Sequence, residues 1–172
     1  MINKFLFFIL IFQGCSNLIH QGNQIDLARR EIDGINFMGT LAEIKSQIGN
    51  NQLEVLPRDQ ISDQGDRVID TLWIITISGH HFSRSSSSKS VYIQDSFFKT
   101  AEGVGVGSSV QEFVNCYGVP KYVEEDIGYS LYFESHNLRL SVYITPDCQC
   151  EHSFESLDKK CIIENMFILV PA

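Results

Sequence analysis

The chain has 172 residues, which suits one domain or two small halves that pack tightly together. It is 44% hydrophobic and 20% charged, ordinary values for a folded globular protein that exclude an intrinsically disordered chain. The formal net charge is -8, from 13 Lys and Arg against 21 Asp and Glu. Because an acidic surface repels phosphate backbones, we expect no nucleic-acid partner.

The first residues, MINKFLFFILIFQGC, place one lysine before an apolar run from Phe5 to Phe12. This run is much shorter than the ~20 apolar residues of a membrane-spanning helix. A positive start, a short apolar core and a small residue before the cleavage point are typical of a secretory signal peptide. We therefore predict a signal peptide at residues 1–14, with a buried first strand or helix as the alternative.

The segment FQGC resembles the lipobox of bacterial lipoproteins, in which the cysteine is lipidated and becomes the first residue of the mature chain. The resemblance implies that Cys15 carries the lipid and holds the protein at a membrane of the cell envelope, for which we expect the outer membrane. Residues 15–30 are then the lipidated cysteine and a polar tether. A secreted protein with an unmodified Cys15 is the alternative.

Two segments of the chain match at a constant offset of 69 residues: DGINFMGTLAEIKSQIG at 33–49 and EGVGVGSSVQEFVNCYG at 102–118. Self-similarity at a long period indicates a duplicated structural unit. We therefore divide the remaining chain into repeat 1 at residues 31–98 and repeat 2 at residues 99–172. The two repeats are expected to pack as one compact unit.

Each repeat contains the start signal of a helix. Thr40 and Glu43 in the first repeat, and Ser109 and Glu112 in the second, have the spacing of a capping box. Apolar residues follow each box at intervals of three and four, and a glycine ends each stretch. The pattern predicts two helices of about ten residues, each with one buried face.

The alternating glycines of EGVGVGSS at 102–109 suggest another interpretation, a loop that cradles a phosphate. Such a loop follows a buried strand and is completed by a lysine or by a ribose-binding acid. Here no GK[ST] follows, and only the first of the three glycines recurs in the matching segment. We therefore predict that the glycines shape the chain as it enters the second helix.

Segments rich in β-branched and aromatic residues follow each helix and predict strands. They are 52–57, 70–78 and 90–98 after the first helix, and 128–134, 138–145 and 161–170 after the second. The serine-rich stretch 83–90 is predicted to be a mobile linker, and the acidic residues 124–126 to be a solvated turn. The fold class is therefore α+β, with two pseudo-repeats of one short helix and three antiparallel strands, and with the helices packed on the sheet.

The segments MGTLAEIKSQIG and VGSSVQEFVNCYGVP, each followed by antiparallel strands, resemble the SmpA/OmlA (BamE-like) lipoprotein domain. The duplication is similar to the tandem helix-plus-sheet repeats of the β-lactamase inhibitor proteins. Both resemblances imply a function in protein binding. The first implies support of envelope assembly, and the second implies inhibition of an enzyme.

Four cysteines lie beyond the leader: Cys116, Cys148, Cys150 and Cys161. An even number in an exported chain predicts two disulfides, with Cys161 bound to Cys148 or Cys150 and Cys116 bound to the other. A metal site of three cysteines and His152 is an alternative, although its C-x-C spacing is tight for one ion. A redox-active C-x-C pair is a further alternative.

Other candidate residues favour structural roles. His80 and His81 are expected at the start of a loop. If they lay on a strand, their side chains would point to opposite faces, so the pair is a poor chelate for a metal ion. Aromatic residues on the predicted strands are expected in the core, or on one outer face as a protein-binding surface. They are Trp73, Tyr122, Tyr129, Tyr132, Phe133 and Tyr143.

No arrangement of catalytic residues is recognisable in the sequence, so we expect a protein that is not an enzyme, with no cofactor and no metal. The favoured function is a lipid-anchored envelope protein that binds a protein partner as a scaffold module in outer-membrane assembly. The alternatives are an inhibitor of a secreted or periplasmic enzyme and a Cys/His metal or thiol-redox protein.

Overall fold

The computed structural model describes residues 24–49, 51–61, 67–125, 128–145, 148 and 154–170. The predicted signal peptide at residues 1–14, the predicted lipidation site Cys15 and the tether up to residue 23 lie outside these residues. Among the described residues, neither helix is long and apolar enough to cross a membrane.

The described chain contains two short helices and twelve strands and is α+β, as predicted. Three strands come first: β1 (Gln24–Asp26), β2 (Glu31–Ile32) and β3 (Ile35–Asn36). Helix α1 (Leu41–Ile48) is followed by β4 (Gln52–Ile61), β5 (Arg67–Ile77), β6 (His80–Ser85), β7 (Val91–Ile93) and β8 (Lys99–Thr100). Helix α2 (Val110–Tyr117) is followed by β9 (Tyr122–Glu125), β10 (Tyr129–Ser135), β11 (Leu138–Ile144) and β12 (Asn165–Leu169).

Eight of these strands form one antiparallel sheet in the order β4-β5-β6-β7-β12-β11-β10-β9. Strands β7 and β12 are its centre, so the four strands on one side follow α1 and the four on the other side follow α2. Three strands were predicted after each helix, and the large sheet instead contains four strands from each half of the chain.

The two strands of the large sheet that were not predicted from the sequence are polar. Strand β6 replaces the loop expected at His80 and the first part of the linker expected at residues 83–90. Strand β9 replaces the turn expected at Glu124 and Glu125, while residue 126 lies outside the described residues. In β6 the alternating pattern includes a buried arginine, and β9 is an edge strand with exposed glutamates, so neither has the apolar alternation of a half-buried strand.

A small sheet in the order β3-β2-β1-β8 is built from the start of the described chain. Strand β1 pairs antiparallel with β2 and parallel with β8, and Ile25 and Leu27 on this segment are buried. Strand β1 therefore lies within residues 15–30, the stretch that was predicted to be the lipidated cysteine and a polar tether. The described chain starts with this strand at Gln24, and the side chains of Ile25 and Leu27 belong to the hydrophobic core.

The large sheet has two unlike faces. One face, here called the inner face, carries side chains that are buried beneath the helices and the small sheet, such as Ile75, Phe82 and Leu140. The ring of Phe113 on α2 lies 5.8 Å from that of Phe133 on this face. Helix α2 therefore packs on this face of the sheet. The opposite face is here called the open face.

Buried Arg84 ties the inner face to the segment that leads into α1. Its Nε donates a hydrogen bond to the carbonyl oxygen of Phe37 at 2.5 Å, and its Nη2 donates to that of Gly39 at 3.2 Å. The guanidinium also lies 4.2 Å from the centre of the Trp73 ring. A buried cation is stabilised by such carbonyl acceptors and by an aromatic face.

Both helices begin with the capping boxes expected from the sequence. The hydroxyls of Thr40 and Ser109 each accept a hydrogen bond from the amide three residues on, at 3.3 Å. The carboxylates of Glu43 and Glu112 accept hydrogen bonds from the amides of these two capping residues at 2.6 Å. These hydrogen bonds lower the pKa of both glutamates, so the boxes hold charged carboxylates near the positive end of each helix.

Candidate functional site

One row of side chains crosses the open face through all eight strands of the large sheet. Each member lies directly opposite the next in the strand register, so the row is continuous from one sheet edge to the other. With neighbouring strands ~4.8 Å apart, the row extends over roughly 34 Å. This cross-strand row consists of Glu54, Ile74, Ser83, Tyr92, Phe167, Ser141, Tyr132 and Tyr122.

Four aromatic rings of the cross-strand row form two stacked pairs. The rings of Tyr92 and Phe167 have centroids 4.5 Å apart at an angle of 27°. Those of Tyr122 and Tyr132 are 4.2 Å apart at 21°. Because these separations are close to the strand spacing, the rings stand on the sheet with their faces against each other. Their edges therefore point away from the sheet, toward whatever contacts the open face.

Two tyrosine hydroxyls of the row are held by hydrogen bonds. Tyr92 donates to Oδ1 of Asn165 at 3.2 Å, and Tyr132 donates to Oε2 of Glu124 at 2.5 Å. Burial raises the pKa of both hydroxyls, and for Tyr132 the hydrogen bond to Glu124 raises it further. Both groups therefore stay protonated at neutral pH.

Charged side chains surround the tyrosine pair at the β9 end of the open face. The guanidinium of Arg139 lies 5.5 Å from the centre of the Tyr122 ring. Lys121 Nζ lies 3.8 Å from Oε2 of Glu134, an exposed ion pair. An aromatic centre with a polar rim is the usual composition of a protein interface.

The aromatic residues singled out in the sequence are divided between the two faces. Trp73, Tyr129 and Phe133 are buried on the inner face. Tyr122, Tyr132 and Tyr143 lie on the open face, where Tyr143 is opposite Ser130 and Asn165.

Sequence reasoning missed two members of the open face, Tyr92 and Phe167. Each is the one aromatic residue between two buried aliphatic neighbours, in VYI of β7 and in MFI of β12. This alternation was the available signal, because it puts the aromatic side chain on the face opposite the core.

The cysteines form one disulfide among the described residues, between Cys148 and Cys161, with Cα atoms 5.9 Å apart. It is one of the two pairings expected for Cys161. Cys116 is half-buried on α2 and is not part of this disulfide, while Cys150 and His152 lie outside the described residues. The disulfide occupies two of the four candidate metal ligands. No group of three or more metal-ligating side chains is found in the described part of the chain.

The glycines of EGVGVGSS have structural roles in the turn before α2. Gly103 and Gly107 both adopt φ of 84°, a conformation that L side chains rarely take. A Cβ on Gly105 would lie 2.5 Å from the carbonyl oxygen of Phe98. The ammonium of Lys99 donates to the carbonyl oxygen of Val106, so the nearby lysine is used within the loop.

The two adjacent histidines lie on β6 rather than in a loop and point to opposite faces. His80 Nδ1 lies 2.9 Å from Oδ2 of Asp95, and its ring stacks on Phe97 with centroids 3.8 Å apart. His81 is exposed on the open face, opposite Thr76. The pair is therefore no chelate, as the sequence spacing predicted.

The serine-rich stretch is attached to a buried carboxylate. Asp70 accepts hydrogen bonds from the hydroxyls of Ser85 and Ser86 at 2.8 and 2.9 Å, and from the amides of Thr71 and Ser87 at 2.8 and 3.1 Å. The predicted linker at 83–90 is thus the end of β6 and a turn that is hydrogen-bonded to β5.

Comparison with known proteins identifies the fold and leaves the function open. No protein-family model matches the sequence, and no curated protein matches it. The chain is similar to the crystal structure of the uncharacterized protein yfeY from Escherichia coli, with a TM-score of 0.53 and 9% sequence identity. The match covers 86% of this chain and 99% of the yfeY chain. At this identity the similarity shows a shared fold and nothing about activity.

Proposed function

We propose that this chain is a non-catalytic protein-binding module and that its open face is the docking surface. The observation that carries the proposal is the cross-strand row, which places two stacked aromatic pairs on a partly exposed sheet face. Tyrosine is enriched among the residues that dominate binding energy at protein interfaces. The sheet holds these rings rigidly, so little conformational entropy is lost when a partner binds.

The on-edge arrangement of the rings favours a protein over a flat ligand. A sugar or a nucleobase stacks on the face of an aromatic ring, and here the paired faces are turned toward each other. Ring edges suit apolar side chains instead, and the hydroxyl oxygens of Tyr92 and Tyr132, whose protons are donated to Asn165 and Glu124, can accept from backbone amides. A protein surface supplies both.

We also propose that the chain arose by duplication of one helix followed by four strands. Both helices start with the same capping box, and the sheet order is symmetrical about the central pair of β7 and β12. In the cross-strand row, Ser83 and Ser141 occupy equivalent third strands of the two halves, β6 and β11. This arrangement supports the resemblance to the BamE-like domain and to the tandem repeats of the β-lactamase inhibitor proteins.

A lipid at Cys15 would place the module at a membrane of the cell envelope, and a scaffold role in outer-membrane assembly is the function we favour there. The support is the lipobox-like FQGC and the signal-peptide pattern before it. The substitution Cys15→Ser should abolish membrane retention of the full chain in cell fractionation. Retention unchanged by Cys15→Ser would contradict the anchor without affecting the proposed docking face.

Inhibition of a secreted or periplasmic enzyme is the second candidate, and one feature favours it. The β4–β5 hairpin continues for five further residue pairs, from Pro57 opposite Thr71 to Ile61 opposite Arg67, beyond the point where Ser85 ends β6. The turn after β6 is hydrogen-bonded to Thr71 and Asp70, so the part that projects is residues 59–61 paired with residues 67–69. A projecting hairpin is suited to entering the cleft of an enzyme.

The docking face is tested by site-specific photocross-linking in cells that produce the full chain. A photoreactive amino acid replaces Tyr132 or Tyr92 on the open face, or exposed Gln111 on α2 as the control. We expect one discrete adduct from both open-face positions and no such adduct from Gln111. Mass spectrometry of the adduct then distinguishes an assembly component from an enzyme.

The same adduct from all three positions, or no adduct from either open-face position, would contradict the proposal. A further test combines the substitution Tyr122→Ser with the photoreactive amino acid at position 132. This change removes the stacking partner at the sheet edge, so we expect about a tenfold weaker adduct, as for loss of an interface aromatic residue.

A further inference from the structure

The two edges of the large sheet differ in length and chemistry. The β9 edge is four residues long and carries Glu124 and Glu125, features that discourage pairing with another strand. The β4 edge is ten residues long and exposes two apolar side chains, Val55 at 40% and Leu56 at 37%. Although β4 also carries charged residues, a long edge strand with exposed apolar side chains presents unpaired backbone groups and is a site where a further strand can bind.

The sequence of the β4 edge is self-complementary about Leu56. Glu54 precedes Leu56 by two positions and Arg58 follows it by two, so all three side chains lie on the open face. Val55 and Pro57 flank Leu56 on the inner face. An antiparallel copy centred on Leu56 therefore sets each carboxylate opposite a guanidinium and each valine opposite a proline.

We propose that β4 pairs with β4 of a second copy of this chain, with a two-fold axis at Leu56. In this register the two Leu56 side chains meet at the axis, and Glu54 of each copy lies opposite Arg58 of the other. Opposite charges at directly paired positions stabilise a sheet, and like charges destabilise it. Within one copy, neither Glu54 nor Arg58 takes part in an ion pair among the described residues.

Proline in β4 is compatible with this pairing. Pro57 lacks an N–H group and is tolerated on edge strands. Because of Pro57, each copy lacks at most one backbone N–H donor along the paired edge. The proline ring also provides an apolar contact for the exposed Val55 of the other copy. Antiparallel pairing about a two-fold axis is a closed, isologous interface, so it forms dimers rather than fibres.

The second copy would also extend the open face. Directly opposed residues in adjacent strands point to the same side of a sheet, so the open faces of both copies lie on one side of the dimer. Glu54, which ends the cross-strand row of one copy, then lies next to Arg58 of the other. The dimer thus offers a surface twice as wide as that of one chain.

The test is disulfide cross-linking of full-length Leu56→Cys in cells under a mild oxidant. Directly opposed Cβ atoms in paired strands lie ~5 Å apart, close enough for a disulfide after small adjustment. We expect a homodimer on non-reducing gels beyond any dimer of the wild-type chain. Gln52→Cys is the matched control, because Gln52 is exposed on the same strand and face. In the proposed register its two copies would be roughly 27 Å apart.

Charge reversals test the register itself. Glu54→Arg or Arg58→Glu in the Leu56→Cys chain should lower the cross-linked fraction about tenfold, because each creates two like-charged pairs per dimer. The double reversal Glu54→Arg/Arg58→Glu should restore the cross-link. Sedimentation equilibrium on chains with the native Leu56 should give the same ranking. The wild-type chain and the double reversal should associate more strongly than either single reversal.

Any of three results from the homodimer assays would overturn the proposal. They are absence of a Leu56→Cys homodimer when the chain is produced normally, an equal cross-link from Gln52→Cys, and failure of the double reversal to restore association. A cross-link of Leu56→Cys to a different protein would also overturn it and assign the edge to a foreign strand. None of these results bears on the photocross-links from Tyr132 and Tyr92, so this proposal and the docking face can fail separately.

Discussion

Tyr92 and Phe167 face each other across the centre of the large sheet, with ring centroids 4.5 Å apart. Their strands, β7 and β12, are the junction between the strands that follow α1 and those that follow α2. The pair therefore contributes both to the open face and to the contact between the two halves. A stacked aromatic pair contributes ~0.5–1.5 kcal/mol beyond the area that it buries.

This stacking should be measurable as a coupling energy. We expect Tyr92→Ala and Phe167→Ala to lower the free energy of unfolding, and the double variant to show a coupling of ~0.5–1.5 kcal/mol in urea unfolding. The control cycle combines Tyr92→Ala with Tyr122→Ala. Tyr122 lies at the far edge of the sheet, so these effects should add. A central pair without coupling would contradict the stacking.

The carboxylate of Asp70 should make stability depend on pH. Burial by itself raises the pKa of Asp70, but hydrogen bonds from Ser85, Ser86, Ser87 and Thr71 outweigh burial and hold the pKa far below its ordinary value. In the unfolded chain the pKa returns to ~3.9. The stabilisation is therefore complete above pH ~4 and is lost as pH falls toward the folded-state pKa.

The substitution Asp70→Asn should lower the free energy of unfolding by ~2 kcal/mol at neutral pH, because it weakens several hydrogen bonds to a buried charge. The measurement is urea unfolding of both chains between pH 7 and pH 3. We expect the difference between them to shrink below pH ~4. A difference that stays constant down to pH 3, or grows, would show that the carboxylate is not the stabilising group.

Gly105 should tolerate no side chain, for a steric reason. A Cβ at this position would lie 2.5 Å from the backbone oxygen of Phe98, and relief of that contact requires the backbone to move. We expect Gly105→Ala to lower stability by ~2 kcal/mol or more. Gly107→Ala introduces only the strain of a side chain at positive φ, so it should lower the free energy of unfolding by ~1 kcal/mol.

Thermal unfolding of the two glycine variants gives the comparison. The double variant Lys99→Ala/Gly105→Ala identifies the obstacle, because Lys99 Cδ is the second-nearest atom at 3.1 Å. We expect no rescue by Lys99→Ala, since the backbone oxygen remains. Recovery of stability in the double variant would instead make the lysine the obstacle.

The disulfide between Cys148 and Cys161 closes a loop with a sequence separation of 13 residues. Loss of this disulfide should lower the free energy of unfolding by ~3 kcal/mol, because the unfolded chain gains conformational entropy when the loop is no longer closed. We expect Cys148→Ala/Cys161→Ala to show this loss in urea unfolding and to be insensitive to a reductant. The wild-type chain should lose about the same amount when reduced. A reductant effect of equal size on both chains would assign the stabilisation to another bond.

The features that the sequence alone determined are local. The two capping boxes, the glycines of the turn before α2 and the alternating strands 129–135 and 138–144 all follow from residues within a few positions of one another. A cap needs one hydroxyl and one amide three residues apart, and a left-handed turn needs one glycine. These patterns are therefore readable without the rest of the chain.

Only the tertiary structure decided which aromatic residues of the open face lie next to one another. Tyr92 meets Phe167 and Tyr132 meets Ser141 because four strands from each half join at β7 and β12, and no local pattern specifies that junction. The same holds for polar β6 and β9, which are strands because their neighbours supply the hydrogen-bond partners. Backbone pairing between distant segments is a property of the assembled sheet, so the open face and the β4 edge emerge only when the chain is folded.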